Sequence, residues 1–156
     1  LFHVAVTFDG RYARLYINGS NDLNDGDVDT SGTQVVDSGG TGRVVQYGSN
    51  TSLQIGADVN SATDETTVHN YLIGGQIDEV GIWDAAIDAD GITKIYNGGT
   101  PDLDLTSADG DYDNQGDLQA YWKFNEGTGT TVEDSSSNSN TGTLRNSPSW
   151  VATDHE

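Results

Sequence analysis

The residues best able to do chemistry in this 156-residue chain are carboxylates and amides, and they gather in two places. The first is the run GGQIDEVGIWDAAI, residues 74–87. Val80 and Ile82 alternate onto one face of a strand there, and Asp78 falls on that same face. A carboxylate on the core side of a strand is costly unless something pairs with it. The chain has only 6 Lys+Arg, so a metal ion is a serious candidate for the partner. The second place is EDSSSNSNTG, residues 133–142, which puts carboxylate, amide and hydroxyl oxygens on one compact loop. Calcium takes roughly six to eight such oxygens. The same composition also suits a self-hydrogen-bonded Asx/Ser loop with no ion.

The remaining polar residues fit no catalytic pattern. Asp78 and Glu79 are adjacent, so on a strand they point to opposite faces and cannot flank one glycosidic bond. Glu79 reads as a solvated, outward charge. His3, His69 and His155 sit in no recognisable Ser or Asp constellation. The Gly pairs at 39–40, 74–75 and 98–99 lack the Lys-Ser/Thr that a phosphate loop needs. The expectation is a chain that is not an enzyme. Two acidic runs, 22–29 and 109–117, could also chelate. Asp109, Asp111 and Asp113 are spaced like the start of an EF-hand loop. However, Asn114 stands where its glycine belongs and Ala120 where its last acid belongs. Both runs therefore read as solvated acidic loops. Among the aromatics, Trp83 and Trp122 read as core. Tyr71 and Tyr112 lie near polar loops and are the better candidates to touch a ligand such as a glycan.

Short β-rich runs must position these groups. Gly, Asn, Asp, Ser and Thr punctuate the chain every ten residues or so, the pattern of an all-β sandwich or barrel. HVAVTFDG puts Val4, Val6 and Phe8 on one face and His3, Ala5 and Thr7 on the other. ARLYING pairs with it through an Asp9-Gly10 turn, and Asn18-Gly19 marks the next turn. RVVQYG, SLQIGAD and YLIGGQIDEVGIW read as further strands, with polar loops at 20–43 and 58–70 and a short strand signal at 34–36. Asp88 can cap a helix carrying Ile92, Ile95 and Tyr96 on one side, and Asn97-Gly98-Gly99 ends it. Residues 100–117 read as an acidic linker or surface loop. Residues 118–144 read as a strand, a Gly-Thr turn and the Ser/Asn-rich loop, with Trp122 and Phe124 alternating as core residues would.

Composition narrows the partners. Asp+Glu is 25 and the formal net charge is −19, which repels nucleic acid and anionic membranes and favours cationic partners and divalent ions. Such acidity also keeps a protein soluble in saline media. With no Cys there is no disulfide framework, thiolate metal site or thiol nucleophile. No apolar run is long enough to insert in a membrane, and no signal peptide is visible. The chain opens inside what reads as a strand, so it is expected to be a piece of a longer polypeptide.

Three segments together resemble the laminin-G-like, concanavalin-A-like jelly-roll family: HVAVTFDGRYARLYING (3–19), SLQIGAD (52–58) and GGQIDEVGIWDAAIDADGITKIYNGG (74–99). LQAYWKFNEGTGTTVEDSSSNSNTGTL (118–144) is similar to the opening segment of the same domain type, here placed last. The resemblance implies an all-β, antiparallel jelly-roll β-sandwich with one short helix near 88–97. It divides the chain into 1–99, the later part of such a domain, then 100–117, then 118–156. That last part either folds back to complete the sandwich or begins a second domain; fold-back is the favoured reading. Upstream strands would lie before residue 1 or on a neighbouring chain. The family's oxygen-rich loop often lies beside its Ile-Asp-Glu-Val strand, where calcium can bind; the matching residues are Asp134, Asn138, Asn140 and Asp78. Ser137 and Ser139 stand where the family has glycines. Glucanases of the superfamily carry Glu-x-Asp-x-x-Glu, whose outer acids are replaced here by Gln76 and Gly81. The functional expectation is a non-catalytic, calcium-stabilised binding or adhesion module, extracellular or on a cell or virion surface, with a glycan or protein ligand. The alternatives are a structural spacer or decoration domain that assembles with neighbouring chains, and an inactive relative of a glycosidase.

Overall fold

Among the described residues the computed structural model has short antiparallel strands and one α-helix, an all-β class of chain. It describes residues 2–10, 12–20, 33–34, 53–56, 58–59, 68–69, 75–100 and 103–152. Tyr71 and the acidic run 22–29 lie outside the described residues. The chain divides into one unit of Leu1–Arg43 and Asp78–Glu156 and another of Val44–Ile77.

In the larger unit, β1 (Val4–Phe8) pairs with β2 (Tyr12–Ile17), and β2 with the short β3 (Thr33–Gln34). The first turn forms as its residues predict. Asp9 accepts the Tyr12 backbone N–H at 2.7 Å and pairs with Arg14 at 2.7 Å, while Gly10 takes a positive φ of 88°. At the other end Asn18 and Gly19 both take positive φ, as a tight two-residue turn requires. Gly19 has a second reason to be glycine: a Cβ there would lie 2.7 Å from the Tyr96 ring. That close approach docks the helix against the hairpin, and the Thr93 hydroxyl sits between the carbonyls of Ala89 at 2.8 Å and Gly19 at 3.0 Å, with one proton for the two.

The smaller unit contributes β4 (Asp58–Val59) and β5 (Val68–His69), an antiparallel pair. Residues 53–56, expected to be strand, run outside any strand and bend at the end.

β6 (Val80–Trp83) leads to α1 (Ala89–Tyr96), which forms where the capping signals place it. Asp88 accepts the Gly91 N–H at 2.8 Å, and Asn97 ends the helix in a left-handed conformation. β7 (Leu118–Trp122) then pairs antiparallel with β6, so the C-terminal segment lies against the strand that precedes the helix. A small pair, β8 (Thr131–Val132) with β9 (Gly142–Thr143), flanks the oxygen-rich loop.

Two apolar clusters sit on β7. Tyr16, Ile87, Ile92, Leu105, Tyr112, Leu118 and Tyr121 form the larger one, with Ala5 and Trp83 against it. Ala120, Trp122 and Val132 form the other, joined by Val80, Ile82 and Phe124. A bulge divides them. Ile82 faces Ala120 but Trp83 faces Leu118, so Gln119 is an extra residue in the ladder. One extra residue reverses the side-chain alternation, which puts Leu118 with Tyr121 rather than with Ala120.

Several expectations change here. Tyr112, expected at the surface, is 0 % exposed. Its hydroxyl donates to the Leu105 carbonyl at 2.8 Å and accepts from Trp83 Nε1 at 3.0 Å. A tight Asp109–Tyr112 turn aims the ring inward, so polar sequence neighbours do not make it a surface residue. The stretch 100–117 accordingly supplies core side chains as well as acidic surface. On the first hairpin the inward face holds Ala5, Thr7 and Tyr16, while Val4 and Val6 are 59 % and 70 % exposed. Phe124 keeps its apolar contacts but lies beyond the end of β7, at φ 56°.

Candidate functional site

The candidate site is built on β7, between the residues before β6 and the loop after β8. Strand alternation does not reach Asp78. β6 begins at Val80, and Glu79 has φ 51°, a left-handed conformation that an L-residue adopts only under strain of about 1 kcal/mol or more. Asp78 is half-buried and accepts the Glu79 N–H through Oδ1 at 3.2 Å.

Glu79 is the first residue of the candidate site that sequence reasoning misplaced. It is half-buried rather than outward, and its Oε2 accepts a hydrogen bond from the Tyr121 hydroxyl. Burial pushes the Glu79 carboxyl above its ordinary range. The Tyr121 hydrogen bond and Lys123 oppose that push, and Asp78 and Asp104 add to it. Burial and the carboxylate beside it also raise the Tyr121 hydroxyl. Lys123 lies over the Tyr121 ring, 5.3 Å from its centroid. The reversal at φ 51° turns Glu79 toward β7, and a period-two reading has no way to register it.

Asp134 organises the other end. It bridges to Trp122 in the backbone ladder, and the Ser135 N–H donates to the Tyr121 carbonyl at 2.8 Å. Its Oδ1 accepts the backbone N–H groups of Tyr121 at 2.9 Å and Ser136 at 2.8 Å. Its Oδ2 accepts the Asn140 N–H at 2.7 Å and the Ser136 hydroxyl at 2.9 Å. Although burial works the other way, these bonds from Tyr121, Asn140 and Ser136 hold the carboxyl below its usual range.

The bulge at Gln119 completes the arrangement. Its carbonyl accepts the side-chain amides of Asn138 at 3.0 Å and Asn140 at 2.9 Å, and the Ser136 hydroxyl oxygen lies 3.2 Å from it. Trp122 Nε1 donates to the Asn140 carbonyl at 2.8 Å. Asp134, Asn138 and Asn140 share one hydrogen-bond network, and through it the loop fastens onto β7. The expected calcium fits this donor set poorly. Around Asp134 the neighbouring groups present hydrogens, and the two Asn amides turn their NH2 groups to Gln119. Among the described residues no three His, Cys, Asp or Glu side chains are grouped so as to hold a metal ion. Gln119 was missed because a bulge leaves no periodic signal, and Ser136 because composition does not say which serine of the loop turns inward.

Among the described residues no helix is long and apolar enough to cross a membrane. No family model, no curated protein and no solved structure matches the chain.

Proposed function

We propose that the chain is a non-catalytic interaction module of jelly-roll, laminin-G-like type, working outside the cell or on a virion surface and binding a protein. The observation that carries the reading is the outer face of the first hairpin. Phe2, Val4, Val6 and Leu15 are 78, 59, 70 and 37 % exposed, and the cross-strand pairs Val4–Ile17 and Val6–Leu15 are uncharged. Contiguous exposed apolar side chains on a soluble domain favour contact with another protein surface. A sugar site would call for exposed aromatic faces with polar donors beside them; Tyr112 is in the core, and the exposed Phe2 shares its face with Val4 and Val6. A structural spacer that keeps this face covered by a neighbouring chain is the second reading, supported by the same residues.

Glycan-array binding and light scattering, on the wild type and on Val6→Lys, test the proposal. The expected result is no glycan signal and concentration-dependent association, or binding of an apolar dye, that Val6→Lys weakens. Specific glycan binding unaffected by Val6→Lys would overturn it. Hydrolysis of a β-glucan abolished by Glu79→Gln would overturn the non-catalytic part.

A further inference from the structure

We propose that the loop at 134–140 is a metal-independent clasp in which the Asp134 carboxylate takes the organising place that resemblance gives to calcium. A calcium loop turns oxygen lone pairs toward a common centre. This loop turns hydrogens toward a common centre, and the centre is Asp134. A carboxylate offers about four lone-pair positions. Tyr121 N–H and Ser136 N–H occupy those of Oδ1, and Asn140 N–H and the Ser136 hydroxyl those of Oδ2. The Ser136 hydroxyl has one proton, which goes to the shorter, charged contact at 2.9 Å rather than to Gln119 at 3.2 Å. Its oxygen then accepts the Asn138 N–H at 3.2 Å. A cation entering at Asp134 would meet these protons and displace bonds already made.

The second centre works with opposite polarity. The Gln119 carbonyl, exposed by the bulge, draws in the Asn138 and Asn140 amides. Asn140 thus joins both centres, giving its backbone N–H to Asp134, its amide to Gln119 and its carbonyl to Trp122. The C-terminal segment is tied to β7 by this pairing of one carboxylate and one bulge carbonyl. The consequence is a module that stays closed where calcium is scarce or chelated.

Backbone amide NMR of the 156-residue chain, in excess calcium and in chelator, reads the clasp directly. The Tyr121, Ser136 and Asn140 amide resonances are expected to coincide in the two media, and Tm to agree within about 1 °C. An ion at a hundredfold excess over its dissociation constant would instead raise Tm by about 5–10 °C. Calcium-dependent shifts at those three amides together with such a rise would overturn the proposal. Asp134→Asn removes two of the acceptor positions and is expected to lower Tm by about 5–10 °C, with no recovery in calcium. Should that variant not fold, Ser136→Ala, which loses only the hydroxyl, is expected to give a smaller drop that is equally blind to calcium. Rescue of either variant by calcium would count against the clasp.

Discussion

Glu79 and Asp134 are two carboxylates that both hold Tyr121, one by its hydroxyl and one by its backbone N–H. Their ionisation shifts in opposite directions. Glu79 has a single hydroxyl donor on Oε2, sits in a strained conformation beside Asp78, and burial raises it. Asp134 is also penalised by burial, but bonds from Tyr121, Asn140 and Ser136 outweigh that and lower it. Glu79 is the more deeply buried of the two and Asp134 has more donors aimed at it, and both differences push the two shifts apart. Relative to the unfolded chain, the fold eases ionisation of Asp134 and resists that of Glu79.

The largest way to break the comparison is Asp134→Ala. It strips the acceptor from three backbone N–H groups at once, those of Tyr121, Ser136 and Asn140. A loss of about 2–4 kcal/mol is expected, since water can reach part of the loop, and urea unfolding measures it. Tyr121→Phe tests the other carboxylate alone, because Asp134 binds the backbone of Tyr121 and not its ring. The expected cost near neutral pH is about 1–2 kcal/mol, from a carboxylate left half-buried without its hydroxyl donor. A cost as large as that of Asp134→Ala would mean the two ends are not separable.

The pH dependence sharpens the contrast with a smaller effect. Glu79 is raised in the folded state from its ordinary 4.5, so its contribution is fully present below pH 4.5 and fades as pH rises through the folded value. Asp134 is lowered from 3.8, so its contribution is present above pH 3.8 and fades as pH falls through the folded value. Solvent screening keeps both modest. Melts of Glu79→Gln against pH should therefore gain on the wild type as pH rises above 4.5, since Gln keeps the neutral state. A constant difference across that range would show that the Glu79 charge is not coupled to folding. Ser139→Gly is the smallest change. Ser139 has φ 59°, so glycine relieves strain there while loosening the unfolded chain, and a net gain of about 0.5 kcal/mol is expected in the same unfolding assay.

Much of the local architecture is readable from residue types. Asp9-Gly10 and Asn18-Gly19 mark turns, Asp88 and Asn97 bound the helix, and Trp122 lies in a core because short-range chemistry sets each of these. The loop at 133–142 stands out for its oxygens, and Asp134, Asn138 and Asn140 do meet there. What the oxygens do was not readable. Composition shows how many acceptors and donors a loop has, but not which of them face inward. The same limit applies to the first hairpin, where alternation separates Val4 and Val6 from Ala5 and Thr7 but does not say which side the core will cover.

The sequence by itself determined the antiparallel, turn-rich, all-β character, the capped helix and the acidity, because these depend on φ preferences, capping groups and net charge of residues near in the chain. Tertiary structure alone decided that Tyr112 enters the core, that Glu79 turns to Tyr121, and that a bulge at Gln119 offers its carbonyl to a loop some twenty residues later. Each of those depends on contacts between segments far apart in sequence. Whether a lone pair meets a proton or a cation is settled only when those segments are in place.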